Sequence, residues 1–135
     1  MGTVPVEPKT MYELTVRGDF AAAHRLRDYD GSCENLHGHN WRVEVHLAGE
    51  KLDKLGILVD FRDVKKALGV ALDEWDHKYI NDIPPFDSLN PTTENLSRHL
   101  YGRLAAAMPD GVRVTRVVLW ESDGCSGAYV PGESS

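Results

Sequence analysis

Hydrophobic and polar residues alternate along two stretches near the N-terminus, a pattern typical of strands that bury one face. In the first stretch, Tyr12 to about His24, Leu14 and Val16 alternate with polar neighbours before Phe20 and a run of small residues. In the second stretch, residues 40–49, every other residue is large and apolar. The alternation therefore predicts two strands, the second with its buried face formed by Trp41, Val43, Val45 and Leu47.

Two segments in the middle of the chain repeat apolar residues at intervals of three and four, which predicts amphipathic helices. The first helix begins after Asp60, a residue type favoured as an N-cap, and runs to about Trp75. A short extended segment, residues 57–61, leads into it. The second helix begins near Thr92 and ends at Pro109. The apolar stripes consist of Val64, Leu68, Ala71, Leu72 and Trp75 in the first helix and Leu96, Leu100, Leu104 and Met108 in the second.

Strand-like patterns return at residues 112–122 and 127–130. The resulting order of strand, strand, helix, helix, strand and strand predicts an antiparallel α+β domain with both helices on one face of the sheet. A single helix layer leaves the other face uncovered, and oligomerisation is one way to cover it. We expect one domain over residues 11–130, a disordered leader over residues 1–10 and a flexible tail over residues 131–135.

The composition is that of an ordinary soluble domain with 135 residues and a net charge of −6. No basic cluster stands out, so nucleic acid is not an expected partner. No apolar run is long enough to cross a membrane, and the first residues do not resemble a signal peptide. Cys33 and Cys125 are the only cysteines, which favours a cytoplasmic protein with reduced thiols, although a single disulfide stays open.

Three histidines are candidates for a metal site. His37 and His39 open the second strand with a spacing of two, which directs both to the same face. His24 ends the first strand and reaches the same end of the sheet if the two strands pair as a hairpin. Three histidines with an open fourth position are typical of catalytic zinc. The alternative is a set of hydrogen-bonded or core histidines.

Cys33, four residues before His37, allows three interpretations. It is a fourth ligand that closes a structural zinc site, a reactive thiolate beside the metal, or a small buried residue. Asp76 and His77 follow the first helix, and a carboxylate beside an imidazole is a recurrent acid/base unit. Side chains of these types at the end of a helix are, however, more often solvated.

Three further residues are candidates for ligand binding. Glu121 ends an apolar strand, where it is either solvated or an anchor for a ligand rich in N–H donors. Thr93 and Glu94 begin the second helix, whose first backbone N–H groups are free to bind a ligand.

Taken in order, the motifs FAAAH, C-x-x-x-HGHN, DHKYIN, PTTEN and WES resemble the 6-pyruvoyltetrahydropterin synthase family. The resemblance extends from about Tyr12 to Tyr129. The three-residue spacer between Cys33 and His37, and the segment NDIP, look like the bacterial 6-carboxytetrahydropterin synthase (QueD) branch. Ser122 stands where the family usually has threonine.

This resemblance implies a T-fold, a four-stranded antiparallel sheet with two helices on one face, assembled as trimers that stack into hexamers with active sites between subunits. It implies a Zn²⁺-dependent lyase acting on 7,8-dihydroneopterin triphosphate. By the resemblance, the zinc ligands are His24, His37 and His39, the catalytic residues are Cys33, Asp76 and His77, and the pterin contacts are Glu121, Thr93 and Glu94.

Overall fold

The computed structural model describes residues 11–28 and 36–132, with His37 described by its backbone alone. The predicted leader, residues 133–135 of the predicted tail, and Cys33 lie outside the described residues.

The described strands form one sheet in the order β3-β1-β2-β4-β5. The neighbours β1–β2, β2–β4 and β4–β5 pair antiparallel, whereas β3 pairs parallel with the end of β1. The four predicted strands are confirmed. The sheet has five strands and not four, because the two-residue strand β3 is added at the edge beside β1. The strands are β1 (Tyr12–His24), β2 (His37–Gly49), β3 (Lys78–Tyr79), β4 (Arg113–Ser122) and β5 (Cys125–Tyr129).

Both predicted helices are present, as α1 (Phe61–Leu72) and α2 (Thr93–Ala107). Asp60 caps α1 by accepting from the backbone N–H of Arg62, and Thr92 caps α2 by accepting from that of Asn95. The predicted end of the first helix near Trp75 was wrong. The chain leaves the helix after Leu72 because it must turn back to lay β3 along β1. The predicted extended segment at residues 57–61 is not a strand and pairs with no described strand.

The core lies between the helices and one face of the sheet. The predicted buried face of β2 is confirmed, since Trp41, Val43, Val45 and Leu47 are at most 1% exposed. Phe20 stacks flat against Trp41 with ring centroids 5.7 Å apart. The opposite face of the sheet is polar and carries ion pairs such as Arg17–Glu44. No helix among the described residues is long and apolar enough to span a membrane.

Candidate metal and catalytic site

Two histidines and a glutamate meet where the helix-facing side of the sheet ends. The Oε1 atom of Glu121 lies 2.9 Å from the Nε2 atom of His39 and 3.3 Å from that of His24. One ligand atom from each residue lies within 4.8 Å of the other two. The three side chains come from β4, β2 and β1 respectively, so the pairing of three strands brings them together.

The His24 ring is held in the orientation and tautomer that a metal ligand needs. Its Nδ1–H donates to the backbone carbonyl of Pro91 at 2.9 Å. A carbonyl only accepts, so Nδ1 carries a proton and Nε2 is the ring atom directed at the cluster. Metal-binding histidines commonly donate their other N–H to a carbonyl or carboxylate in this way. The residue is only 2% exposed, so the ring has little freedom to turn.

Trp41 forms a wall of the same cluster. The rings of His24 and His39 meet its indole edge-on, with centroids 4.9 and 5.5 Å away. The indole N–H donates to the carbonyl of Ala22, which fixes the wall to β1. The aromatic wall limits how far either imidazole is able to turn away from the cluster.

The donor set suits a divalent transition metal such as zinc, which binds imidazole nitrogen and carboxylate oxygen. The Nε2 atom of His24 and a carboxylate oxygen of Glu121 lie 3.3 Å apart, close enough for one cation to bind both. The structure therefore brings the predicted ligands His24 and His39 together. The predicted pterin contact Glu121 joins them, which was not expected from the sequence.

The third predicted ligand, His37, is placed by its backbone at the same end of the sheet. It pairs with His24 across β1 and β2, two residues before His39. Its assignment as a ligand stays a prediction.

Asp76 and His77 form the predicted carboxylate–imidazole contact, with Asp76 Oδ1 3.0 Å from His77 Nδ1. The same oxygen accepts from the backbone N–H of Ala21 at 3.0 Å. This backbone donor, together with the neighbouring imidazole, holds the pKa of the Asp76 carboxyl below its usual value. The ionised carboxylate orients the imidazole, whose side chain is 81% exposed and so presents Nε2 outward.

The pair is attached to β1 directly before the metal-ligand candidate. The backbone N–H of His77 donates to the carbonyl of Ala21, and Lys78 pairs with Ala22. His77 has φ +60°, a conformation that is costly for a residue with a side chain and that recurs at functional sites. β3 thus places the Asp76–His77 pair beside the end of β1, a few residues from His24. The position of Cys33 relative to it lies outside the described residues.

The start of α2 lies against the same region. Pro91, whose carbonyl holds His24, is two residues before the predicted substrate contact Thr93. A Cβ atom added at Gly127 would lie 2.9 Å from Thr93 Cγ2, so the missing side chain allows α2 to approach β5. Glu94 is exposed in the first turn of the helix. The arrangement places both predicted substrate contacts at the sheet end that carries the cluster.

Two asparagines that the sequence analysis did not single out extend this framework. Asn81 and Asn90 each exchange two hydrogen bonds with the backbone, at Arg25 and Arg27 respectively, with distances of 2.8–3.0 Å. Each side-chain amide thereby accepts from one backbone N–H and donates to one backbone carbonyl of the segment that follows β1, as a neighbouring strand would. Asn81 lies in the DHKYIN motif, but no local pattern reveals a partner more than fifty residues away.

The fold and the site define the class of protein: an α+β domain with a histidine–carboxylate cluster able to hold a metal at one end of its sheet and a carboxylate–imidazole pair beside it. A family model described as 6-pyruvoyl tetrahydropterin synthase matches residues 13–131. The chain belongs to the 6-pyruvoyl tetrahydropterin synthase family. The resemblance read from the motifs is confirmed, and the four long strands with two helices on one face are the expected T-fold.

Similar proteins carry three different names. The chain is 36% identical over 110 residues to a dihydroneopterin monophosphate aldolase of Pyrococcus furiosus, covering 82% of this chain and 90% of the relative. It is 30% identical over 134 residues to a 6-carboxy-5,6,7,8-tetrahydropterin synthase of Rickettsia conorii, covering 85% and 97%. A 6-pyruvoyl tetrahydropterin synthase structure from Caenorhabditis elegans superposes with a TM-score of 0.80 at 25% identity, covering 94% and 100%.

Proposed function

We propose that the protein is a zinc-dependent 6-carboxy-5,6,7,8-tetrahydropterin synthase. In this reaction 7,8-dihydroneopterin triphosphate and one water molecule are converted to 6-carboxytetrahydropterin, acetaldehyde and triphosphate. The observation that carries the proposal is the convergence of His24, His39 and Glu121 at the sheet end where Asp76 and His77 also lie. Such a site combines a Lewis acid with a general acid/base, as proton abstraction beside an oxygen substituent requires.

The residues have distinct proposed roles. His24, His37 and His39 would hold the zinc, which would supply Lewis acidity to acidify the C–H groups of the substrate side chain. Cys33, as a thiolate, takes a proton from that side chain. His77 gives and takes protons at Nε2 while Asp76 holds its Nδ1 side. Glu121, Thr93 and Glu94 fix the pterin ring so that the side chain stays beside these groups.

A second candidate is an aldolase acting on dihydroneopterin monophosphate, favoured by the 36% identity to a protein of that name. It would break a carbon–carbon bond of the side chain and release an aldehyde that retains the phosphate. A 6-pyruvoyltetrahydropterin synthase, which eliminates triphosphate without losing acetaldehyde, is the remaining enzymatic alternative. All three reactions begin by moving protons on the same side chain, so the described geometry suits each of them.

Turnover with defined substrates separates these reactions. We expect zinc-loaded protein to consume the triphosphate and to release acetaldehyde, measured with alcohol dehydrogenase and NADH, while mass spectrometry identifies 6-carboxytetrahydropterin. Consumption of the monophosphate alone would establish the aldolase, and loss of triphosphate without acetaldehyde the 6-pyruvoyl enzyme. Binding of either compound without turnover would indicate a non-catalytic zinc- and pterin-binding protein.

Cys33→Ala tests the proposed base. We expect the variant to retain zinc and to lose most turnover, because an alanine removes the proton acceptor without removing an imidazole ligand. Zinc content is measured by mass spectrometry of the metal beside the turnover assay. Loss of both zinc and folded structure would instead show that the thiol is a structural ligand.

We further propose a hexamer of two stacked trimers in the cytoplasm, with a product that feeds queuosine or other 7-deazapurine synthesis. The uncovered polar face of the sheet supports assembly, since family members are expected to cover it between subunits. Native mass spectrometry of the purified protein checks the subunit number.

A further inference from the structure

We propose that Glu121 is a ligand of the metal before substrate binds and that the pterin ring releases it. The residue would then connect two events, metal coordination and pterin binding, through one carboxylate. The metal contact is argued from distances in this structure. The release by pterin rests on the proposed function.

The first support is the atom that the carboxylate uses. Glu121 Oε1 is the atom that approaches both His39 Nε2 and His24 Nε2, at 2.9 and 3.3 Å. Because His24 donates through Nδ1 to Pro91, Nε2 is the ring atom that faces Glu121. The ligand atoms of His24, His39 and Glu121 all lie within 4.8 Å of one another. A divalent ion is able to bind the two imidazoles and this oxygen together.

The second support is the backbone at Glu121. The β4–β5 pairing matches Trp120 with Ser126 and then Ser122 with Cys125, so the register shifts at Glu121 and forms a bulge there. Such a bulge re-aims a side chain and is frequent beside active sites. The side chain is 32% exposed, which leaves room for the carboxylate to turn. The residue is thus directed at the cluster without being locked there.

Competition follows from the small number of carboxylate oxygens. A pterin presents adjacent N–H donors, and a carboxylate binds such an edge best with both oxygens at once. Glu121 cannot offer both oxygens to the ring while Oε1 is shared with the metal cluster. Pterin binding therefore withdraws the carboxylate and frees a position beside the imidazoles for an oxygen of the substrate side chain. By linkage, binding of the metal by Glu121 lowers the affinity of this residue for the pterin ring, and binding of the ring lowers its affinity for the metal by the same factor.

Zinc affinity tests the metal contact. In a competition with a chromophoric chelator, we expect Glu121→Gln to weaken zinc binding roughly tenfold or more, since loss of one ligand costs at least what loss of a supporting contact does. Glu13→Gln is the matched control, an exposed glutamate of β1 outside the cluster, and should bind zinc as the parent does. Circular dichroism confirms that both variants fold. Unchanged zinc affinity in folded Glu121→Gln would overturn the proposal.

Cobalt-substituted protein tests the release. The visible absorption of Co²⁺ reports its ligands, and 6-methylpterin is a probe without side-chain oxygens. We expect 6-methylpterin to change the spectrum of the parent protein, whereas the spectrum of Glu121→Gln differs from the start and changes little. Quenching of pterin fluorescence measures binding separately. Bound pterin with an unchanged parent spectrum would refute the release, and absence of pterin binding would refute the proposed function while the zinc result still decides the metal contact.

Discussion

At the scale of the residue, the site depends on atoms that no local motif reveals. The HGHN motif predicts where two imidazoles are, but the tautomer of His24 is set by the carbonyl of Pro91, 67 residues away. The contact of Glu121 with both histidines likewise depends on the pairing of β4 with β2. The residue types could be predicted from the sequence, whereas their mutual contacts could not, because they arise only when distant strands align.

His24→Ala should release the metal. The substitution removes a buried imidazole whose Nε2 faces the cluster, and the backbone at residue 24 supplies no other ligand atom there. Zinc content after gel filtration, measured by mass spectrometry, checks this. His46→Ala is the control, because His46 contacts Thr15 and Glu44 instead, and it should keep full zinc content. Full zinc occupancy in His24→Ala would remove this histidine from the site.

Asp76→Asn should change how stability depends on pH. The Ala21 N–H and the His77 ring lower the pKa of Asp76 in the folded protein, so its ionised form stabilises the fold above the unfolded-state pKa of about 4. This contribution is lost as the pH falls through the lower folded-state pKa. The difference in free energy of unfolding between the parent and Asp76→Asn should therefore narrow on acidification.

Urea unfolding between about pH 3 and 6, with chelator present throughout, measures that difference. Asp82→Asn, an exposed carboxylate, serves as the control. A difference that is constant across this range would contradict the assigned contacts.

In the turnover assay, Asp76→Asn should lower the rate by about 10²-fold or more, since it leaves His77 without its orienting carboxylate.

At the scale of the element, periodicity predicts the long strands and both helices, and it fails where pairing partners decide the structure. β3 has two residues, too few for any periodic signal, and exists because it lies along Ala22 and Ala23. Because the chain turns back towards β1 at this point, α1 ends at Leu72, three residues before Trp75, the last residue of its apolar stripe. The segment 57–61 has a strand-like composition without a partner strand. Local propensity therefore predicts an element only where tertiary pairing agrees with it.

Gly127→Ala should loosen the contact between α2 and β5. The added methyl group would meet Thr93 Cγ2 at 2.9 Å, so the helix start must shift or the side chain must turn. We expect a loss of about 1–3 kcal/mol in unfolding free energy, and weaker pterin binding because Thr93 is a proposed contact. Gly102→Ala in α2 has open space around the new methyl group and should instead stabilise the helix by roughly 0.5–1 kcal/mol. Equal effects of the two substitutions, measured by urea unfolding, would contradict this packing.

At the scale of the whole molecule, the cluster of His24, His39 and Glu121 would become a cross-link once it binds a metal. Its ligand atoms come from β1, β2 and β4, and the Pro91 carbonyl connects it to the start of α2. Removal of a metal bound there would therefore take a common attachment from most elements of the domain. A ligand that binds only the folded state stabilises it according to its concentration relative to the dissociation constant.

Metal removal should accordingly lower the melting temperature. At a free zinc concentration of 100 times the dissociation constant, the stabilisation is about 2.7 kcal/mol, which corresponds to several degrees for a domain of this size. Differential scanning fluorimetry with increasing EDTA, followed by added zinc, measures the loss and its reversal. The melting temperature of His24→Ala should not respond to either addition, because the variant holds no metal to remove. A response in that variant equal to the parent's would locate the stabilising ion elsewhere.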